Sequence, residues 1–185
     1  MAHGEDAVEG PSVTSRLRPL LDREKIQAMV DALARQIQQD YMGKNPLIVG
    51  TLKGSFIFLA DLVRRLDLQL QVDFVMVQSY AGTRSTGRCR VVLPLSTPVQ
   101  GRDVLVVEDI VDTGLSADCV IKYLKRKGPS SVRLCAIFDK PARRKVPVHV
   151  DYRGFELPDE FVVGYGLDCD QRYRHLPDLW AMEEK

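Results

Sequence analysis

Three features of the sequence predict an α/β fold built on a twisted, mostly parallel sheet flanked by helices. Residues 104–107 are an unbroken aliphatic run, as a strand buried on both faces requires. That run passes through a short polar loop into a helical pattern. Residues 46–63 repeat the order of strand, tight loop and helix, and such alternation is the pattern of a parallel sheet.

The bulk composition agrees. A chain of 185 residues with 45% hydrophobic and 28% charged residues is long enough for one domain with its own core. A net charge of +1 gives no field that would favour nucleic acid or a membrane as the main partner. No apolar run approaches bilayer length, and the acidic start Met1-Ala2-His3-Gly4-Glu5-Asp6 does not read as a signal peptide.

Residues 1–20 read as a flexible N-terminal lead ahead of a single domain over 21–185. Asp22 is an N-cap type, and Ile26, Met29, Val30, Leu33, Ile37 and Tyr41 then fall on one helical face, closed by Gly43. Residues 46–50 are the first buried strand. Thr51-Leu52-Lys53-Gly54-Ser55 leads from it into a helix through Phe56, Leu59, Ala60, Leu62 and Val63. A loop that feeds a helix N-terminus is a ready anion site. The upstream glycine of a nucleotide P-loop is missing, so Lys53-Gly54 reads either as another anion loop or as a surface turn.

Residues 72–80 form the next strand, and the alternation of 89–93 makes 81–88 a hairpin loop. The central strand, 104–107, then ends in Glu108 and Asp109, with Asp112-Thr113-Gly114 two residues beyond. A helix follows, with Leu115, Cys119, Val120, Tyr123 and Leu124 on one face. Ligands of open α/β sheets bind outside the carboxyl ends of the strands. The free amides of the helix start and the hydroxyls of Thr113 and Ser116 suit a phosphate. Three acids would repel a bare phosphate, so the ligand should also bring sugar hydroxyls or a divalent cation. The plainer alternative is a blunted strand end with Asp112 as a helix cap.

Gly128-Pro129 is a turn, and residues 131–138 are a further strand. It ends in Asp139-Lys140-Pro141-Ala142-Arg143-Arg144-Lys145, which alone reads as a solvated basic loop. Residues 146–150 are expected as an edge strand interrupted by Pro147. Phe161 and Val163 read as core positions of a short strand, and Gly164-Tyr165-Gly166 lacks the third glycine of a dinucleotide fingerprint. The four cysteines have no metal-ligand spacing and read as reduced thiols of a cytoplasmic protein, a disulfide or zinc site being the weaker alternative. The three histidines form no catalytic pair.

The run Glu108-Asp109-Ile110-Val111-Asp112-Thr113-Gly114-Leu115-Ser116 resembles the phosphoribosyl-pyrophosphate signature of type I phosphoribosyltransferases. Its wording is closest to the hypoxanthine-guanine (6-oxopurine) branch, and the resemblance extends over residues 44–180. It implies the type I fold, with a small hood from about 150–185 and a hairpin lid behind Ser79 and Tyr80. It implies purine salvage: transfer of the 5-phosphoribosyl group from phosphoribosyl pyrophosphate to hypoxanthine or guanine, giving IMP or GMP and pyrophosphate.

Residue by residue, the resemblance makes Asp112 the proton acceptor. It puts the ribose and 5′-phosphate on Glu108, Asp109, Asp112, Thr113, Gly114, Leu115 and Ser116. Lys53, Gly54 and Arg174 take the pyrophosphate, with an often cis Leu52–Lys53 peptide. Lys140, Phe161 and Val162 take the purine. Mg²⁺ is implied on Glu108, Asp109 and Asp168, and a homodimer or homotetramer is implied as the assembly. Two departures stand out: Glu160 where some members carry a basic residue, and Leu115-Ser116 in place of a pair ending in threonine. A ligand-sensing regulator on the same fold is the other class considered. It would need a basic face or an added DNA-binding domain, and the near-zero charge argues against it.

Overall fold

The computed structural model describes residues 17–79 and 89–182. Six strands form the main sheet: β2 (Leu47–Leu52), β3 (Gln71–Ser79), β4 (Cys89–Leu93), β5 (Asp103–Val111), β6 (Ser131–Asp139) and β7 (Tyr152–Glu156). Their order is β4-β3-β2-β5-β6-β7, and only the β3–β4 pair is antiparallel. Helices α1 (Arg23–Tyr41) and α2 (Phe56–Val63) cover one face, and α3 (Leu115–Lys125) covers the other.

Period-2 alternation accounts for the unbroken aliphatic strands. Leu105 and Val107 of β5 join the core under α1 and α2, while Val104 and Val106 join the core under α3. Two-sided burial removes any polar alternation from the sequence. Asp22 caps α1 as expected, its side chain accepting from Lys25 N at 2.8 Å, and Gly43 follows the helix in the left-handed region (φ 73°).

Several expectations need correction. Residues 17–20, expected in the lead, belong to β1 (Leu17–Leu21), which pairs with β9 (Leu179–Met182), and β9 also pairs with β8 (Val162–Val163). These three antiparallel strands make the hood, so it draws on both ends of the chain. In α2 the buried residues are Phe58, Leu59 and Leu62, whereas Phe56 is exposed. In α3 they are Ala117, Val120 and Leu124. No strand forms at 146–150. Pro147 lacks a donor, and the amides of Lys145 and Val146 are taken by Thr113 O at 2.9 and 3.1 Å. The edge strand is β7 instead, with Tyr152 opposite Cys135.

The thiols are not all reduced. Cys89, which opens β4, is disulfide-bonded to Cys119 of α3, leaving Cys135 and Cys169 free. Spacing could not suggest this pair, since 30 residues separate the two cysteines. None of the described helices is long and apolar enough to cross a membrane.

Candidate active site

The two strand–loop–helix units deliver their loops to one edge of the sheet, because β2 and β5 run parallel with Leu47 opposite Val104. A cavity of about 240 Å³ opens between them, lined by Thr51, Gly54, Glu108, Asp109, Asp112, Thr113, Gly114 and Ser116 among others. Gly114 caps α3 with φ 82°, and a Cβ there would stand 2.6 Å from Val146 O. The left-handed backbone and the close approach both require glycine. The first amides of a helix lack intrahelical acceptors, and here that end borders the cavity.

Glu108 is buried, and its Oε1 has no hydrogen-bond partner. Burial, and after it the neighbouring Asp109, push the Glu108 carboxyl well above the usual range, opposed by the Thr51 hydroxyl. Burial also pushes Asp109 up to about 6. Its own and Ile110's backbone N–H groups and then Arg174 pull the other way, while Asp168 adds to the rise. Two adjacent carboxyls in this condition call for hydroxyl donors or a cation.

The other loop is held against this pair. A Cβ on Gly54 would lie 1.6 Å from Asp109 Oδ2, and one on Gly166 would lie 2.2 Å from Gly54 O. Asp109, Gly54 and Gly166 are therefore stacked in contact, and any side chain at either glycine would part them. The Leu52–Lys53 peptide is cis.

Lys53, Asp168 and Arg174 gather around Gln171. Lys53 Nζ donates to Gln171 Oε1 at 3.0 Å, as does Arg174 Nη2 at 3.3 Å. Gln171 in turn donates to Asp168 Oδ2 from its backbone N at 2.9 Å and from Nε2 at 3.2 Å. Arg174 also pairs with Asp168 Oδ1 at 2.6 Å and donates to Gly166 O at 2.7 Å. Sequence reasoning missed Gln171, since a lone glutamine in a turn carries no pattern.

Lys140 follows β6, is almost wholly buried, and donates to the Glu160 carbonyl. Burial holds its pKa below the ordinary value, with Asp112 pulling upward and Arg143 downward. Phe161 is 50% exposed, so it is not a core position, whereas Val163 is fully buried. Val162 is buried in β8 opposite Ala181. Tyr165, with φ 48° between two positive-φ glycines, donates to Asp61 Oδ2 at 2.7 Å and ties the hood to α2.

Some expected site residues stand apart. Leu115 does not line the cavity and lies beside Cys89 and Cys119. Ser79 ends β3 opposite Cys89, and Tyr80 with the proposed lid at 81–88 lies outside the described residues. Among the described residues, no group of three or more His, Cys, Asp or Glu side chains converges on a metal-sized point. Asp168 faces Arg174 rather than completing a cluster with Glu108 and Asp109.

The α/β domain thus gathers an acidic strand end, a glycine-capped helix start and a separate cationic turn near one edge of its sheet. The family model for the phosphoribosyl transferase domain matches residues 18–170, and the chain belongs to that family. Within the family the similarity runs to hypoxanthine-guanine phosphoribosyltransferases. The enzyme of that name from Aquifex aeolicus is 43% identical over 171 residues, covering 91% of this chain and 96% of its own. The bifunctional protein TilS/HprT of Listeria monocytogenes is 45% identical over 165 residues, and the match spans only 26% of that longer protein. A crystal structure of a hypoxanthine phosphoribosyltransferase from Staphylococcus aureus superposes with a TM-score of 0.89 at 38% identity. It covers 95% of this chain and 96% of that one.

Proposed function

We propose that the chain is a purine-salvage pentosyltransferase. It joins hypoxanthine or guanine to phosphoribosyl pyrophosphate, giving IMP or GMP and pyrophosphate. The single observation that carries this reading is the cavity between the two loops. There, buried and unpartnered carboxylate oxygens stand beside a glycine-capped helix start.

In this mechanism, displacement at the anomeric carbon passes through an oxocarbenium-like state. Glu108 and Asp109 accept hydrogen bonds from the ribose hydroxyls, which supplies the partner that Glu108 Oε1 lacks. The α3 start, with the Thr113 and Ser116 hydroxyls, grips the 5′-phosphate. Lys53 and Arg174, brought together on Gln171, take the leaving pyrophosphate. Phe161 offers an exposed ring for stacking on the purine. Lys140 donates to its exocyclic oxygen, an arrangement that rejects the amino group of adenine. Asp112, partly exposed and lining the cavity, accepts the proton from the purine ring nitrogen.

The donor set fits Mg²⁺. Glu108, Asp109 and Asp168 would supply oxygen donors, and Mg²⁺ commonly binds through one or two carboxylates together with substrate phosphates, so a preformed three-ligand cage is not required. Bound there, the ion supplies charge neutralisation of the leaving group. The described residues form one catalytic domain with its hood, and the active form is a homodimer or homotetramer in the cytoplasm.

The test mixes protein, Mg²⁺ and phosphoribosyl pyrophosphate with each nucleobase in turn, following nucleotide formation by absorbance. Turnover with hypoxanthine or guanine and none with adenine is expected. No turnover with any 6-oxopurine, alongside tight retention of nucleic acid, would favour the regulator instead.

A further inference from the structure

We propose that Arg143 is a positioning residue for Asp112, holding the carboxylate through its buried Oδ1 while leaving the other oxygen to take the proton. This rests on the reading of Asp112 as the proton acceptor. Arg143 ends the 3₁₀ turn Pro141–Arg143 that follows β6. That turn is tied to the Asp112 loop on both sides of Asp112. Lys140 N donates to Val111 O at 2.9 Å, and Lys145 N and Val146 N donate to Thr113 O at 2.9 and 3.1 Å. Gly114 lets the two loops touch, since a Cβ there would meet Val146 O. The guanidinium therefore starts from a backbone fixed relative to the carboxylate.

Arg143 Nε lies 3.2 Å from Asp112 Oδ1, and Nη1 lies 3.4 Å from Asp159 Oδ1. The contact with Asp112 is an ion pair without the alignment of a hydrogen bond, for Oδ1 is buried and accepts none. This combination suits a general base. Contact through Oδ1 alone keeps the other oxygen for the purine's proton, whereas a bidentate arginine would occupy both. No cation at all would leave the carboxylate free to turn away from the substrate. Asp159, in the loop before the Phe161 shelf, holds the far side of the guanidinium, so the clamp also links the base to the purine platform. Arg143 is half-exposed on a surface turn, and its loss leaves the core untouched.

The experiment is a double-mutant cycle of R143Q and D112N read by single-turnover rate, with KM for phosphoribosyl pyrophosphate measured alongside. R143Q should slow single turnover about tenfold, within the range a misplaced reacting group costs. Its KM for phosphoribosyl pyrophosphate and its melting temperature should be unchanged. In the D112N background the same change should have less than about a twofold effect, because there is no carboxylate left to aim. R143K should recover part of the rate, and D159N should lose about two- to threefold. Equal losses in both backgrounds, or no loss in the parent, would overturn the role of Arg143 while leaving the proposed reaction standing. A parent protein that turns over no 6-oxopurine takes down both readings, and it does so before any variant is compared.

Discussion

The units β2–loop–α2 and β5–loop–α3 share one grammar and lie side by side, yet their loops are built in opposite ways. The second is open. Gly114 takes a left-handed turn, Asp112 and Thr113 face the cavity, and the helix start is free to meet a ligand. The first is filled. Its Gly54, though it also lines the cavity, is pressed between Asp109 of its neighbour and Gly166 of the hood approach. A strand–loop–helix order thus gives a place where an anion could bind, but the neighbouring carboxylate decides which loop stays open. Asp109 is the seam between them.

The largest expected effect breaks the open loop. D112N should lower turnover by roughly 10²–10⁴-fold, the usual worth of a general base, with the melting temperature retained. Near-full turnover would mean that the open loop binds ligand but does no proton transfer.

Next in size is the tie from α3 to β4. Denatured without reductant, the protein should titrate two thiols, Cys135 and Cys169, and four after reduction. Reduction should cost about 2–4 kcal/mol of unfolding free energy in a denaturant titration. Four thiols in protein purified without reductant would show that α3 is held by packing alone.

The seam has a pH signature. Burial places the Asp109 carboxyl near 6 in the folded protein, against about 3.9 for a free aspartate. The folded state therefore binds this proton more tightly than the unfolded state. Stability from this group is full below about pH 4 and is lost as pH rises through 6. In EDTA, D109N should be more stable than the parent by on the order of 2–3 kcal/mol at pH 7.5, with the gap closing by pH 4. A gap that did not change between those pH values would show that Asp109 is not held protonated by burial.

The smallest effect concerns the filled loop. G54A should lose about 1–3 kcal/mol of stability, typical of overpacking, and should raise KM for phosphoribosyl pyrophosphate, because Asp109 must move aside. Unchanged stability and KM would make the contact of Gly54 with Asp109 incidental.

How far the sequence could be read follows from how local each feature is. The 104–116 run was readable because strand, acids, glycine and helix are contiguous, and α1 was readable because its cap and its stripe both lie within one helix. The apolar stripes expected for α2 and α3 lie a residue or two from the buried faces. In a short helix the face is chosen by the sheet beneath it: Phe58 rather than Phe56 meets the core, and Cys119 turns toward β4. The edge strand expected at 146–150 does not form, and the pairing with β6 is made by β7 instead.

Arg143, Gln171 and the Cys89–Cys119 bond left no trace in the sequence that could be used. A single polar residue in a turn is silent until its partner is known. The sequence alone determined the class of fold, the acidic strand end and the phosphate-suited loop, because hydrophobic period, caps and glycine act within a few residues. Tertiary structure alone decided which loop opens, which charges face one another and how both chain ends close the hood. Those outcomes depend on contacts between separate segments of the chain, such as Gly54 with Asp109 and Lys53 with Gln171.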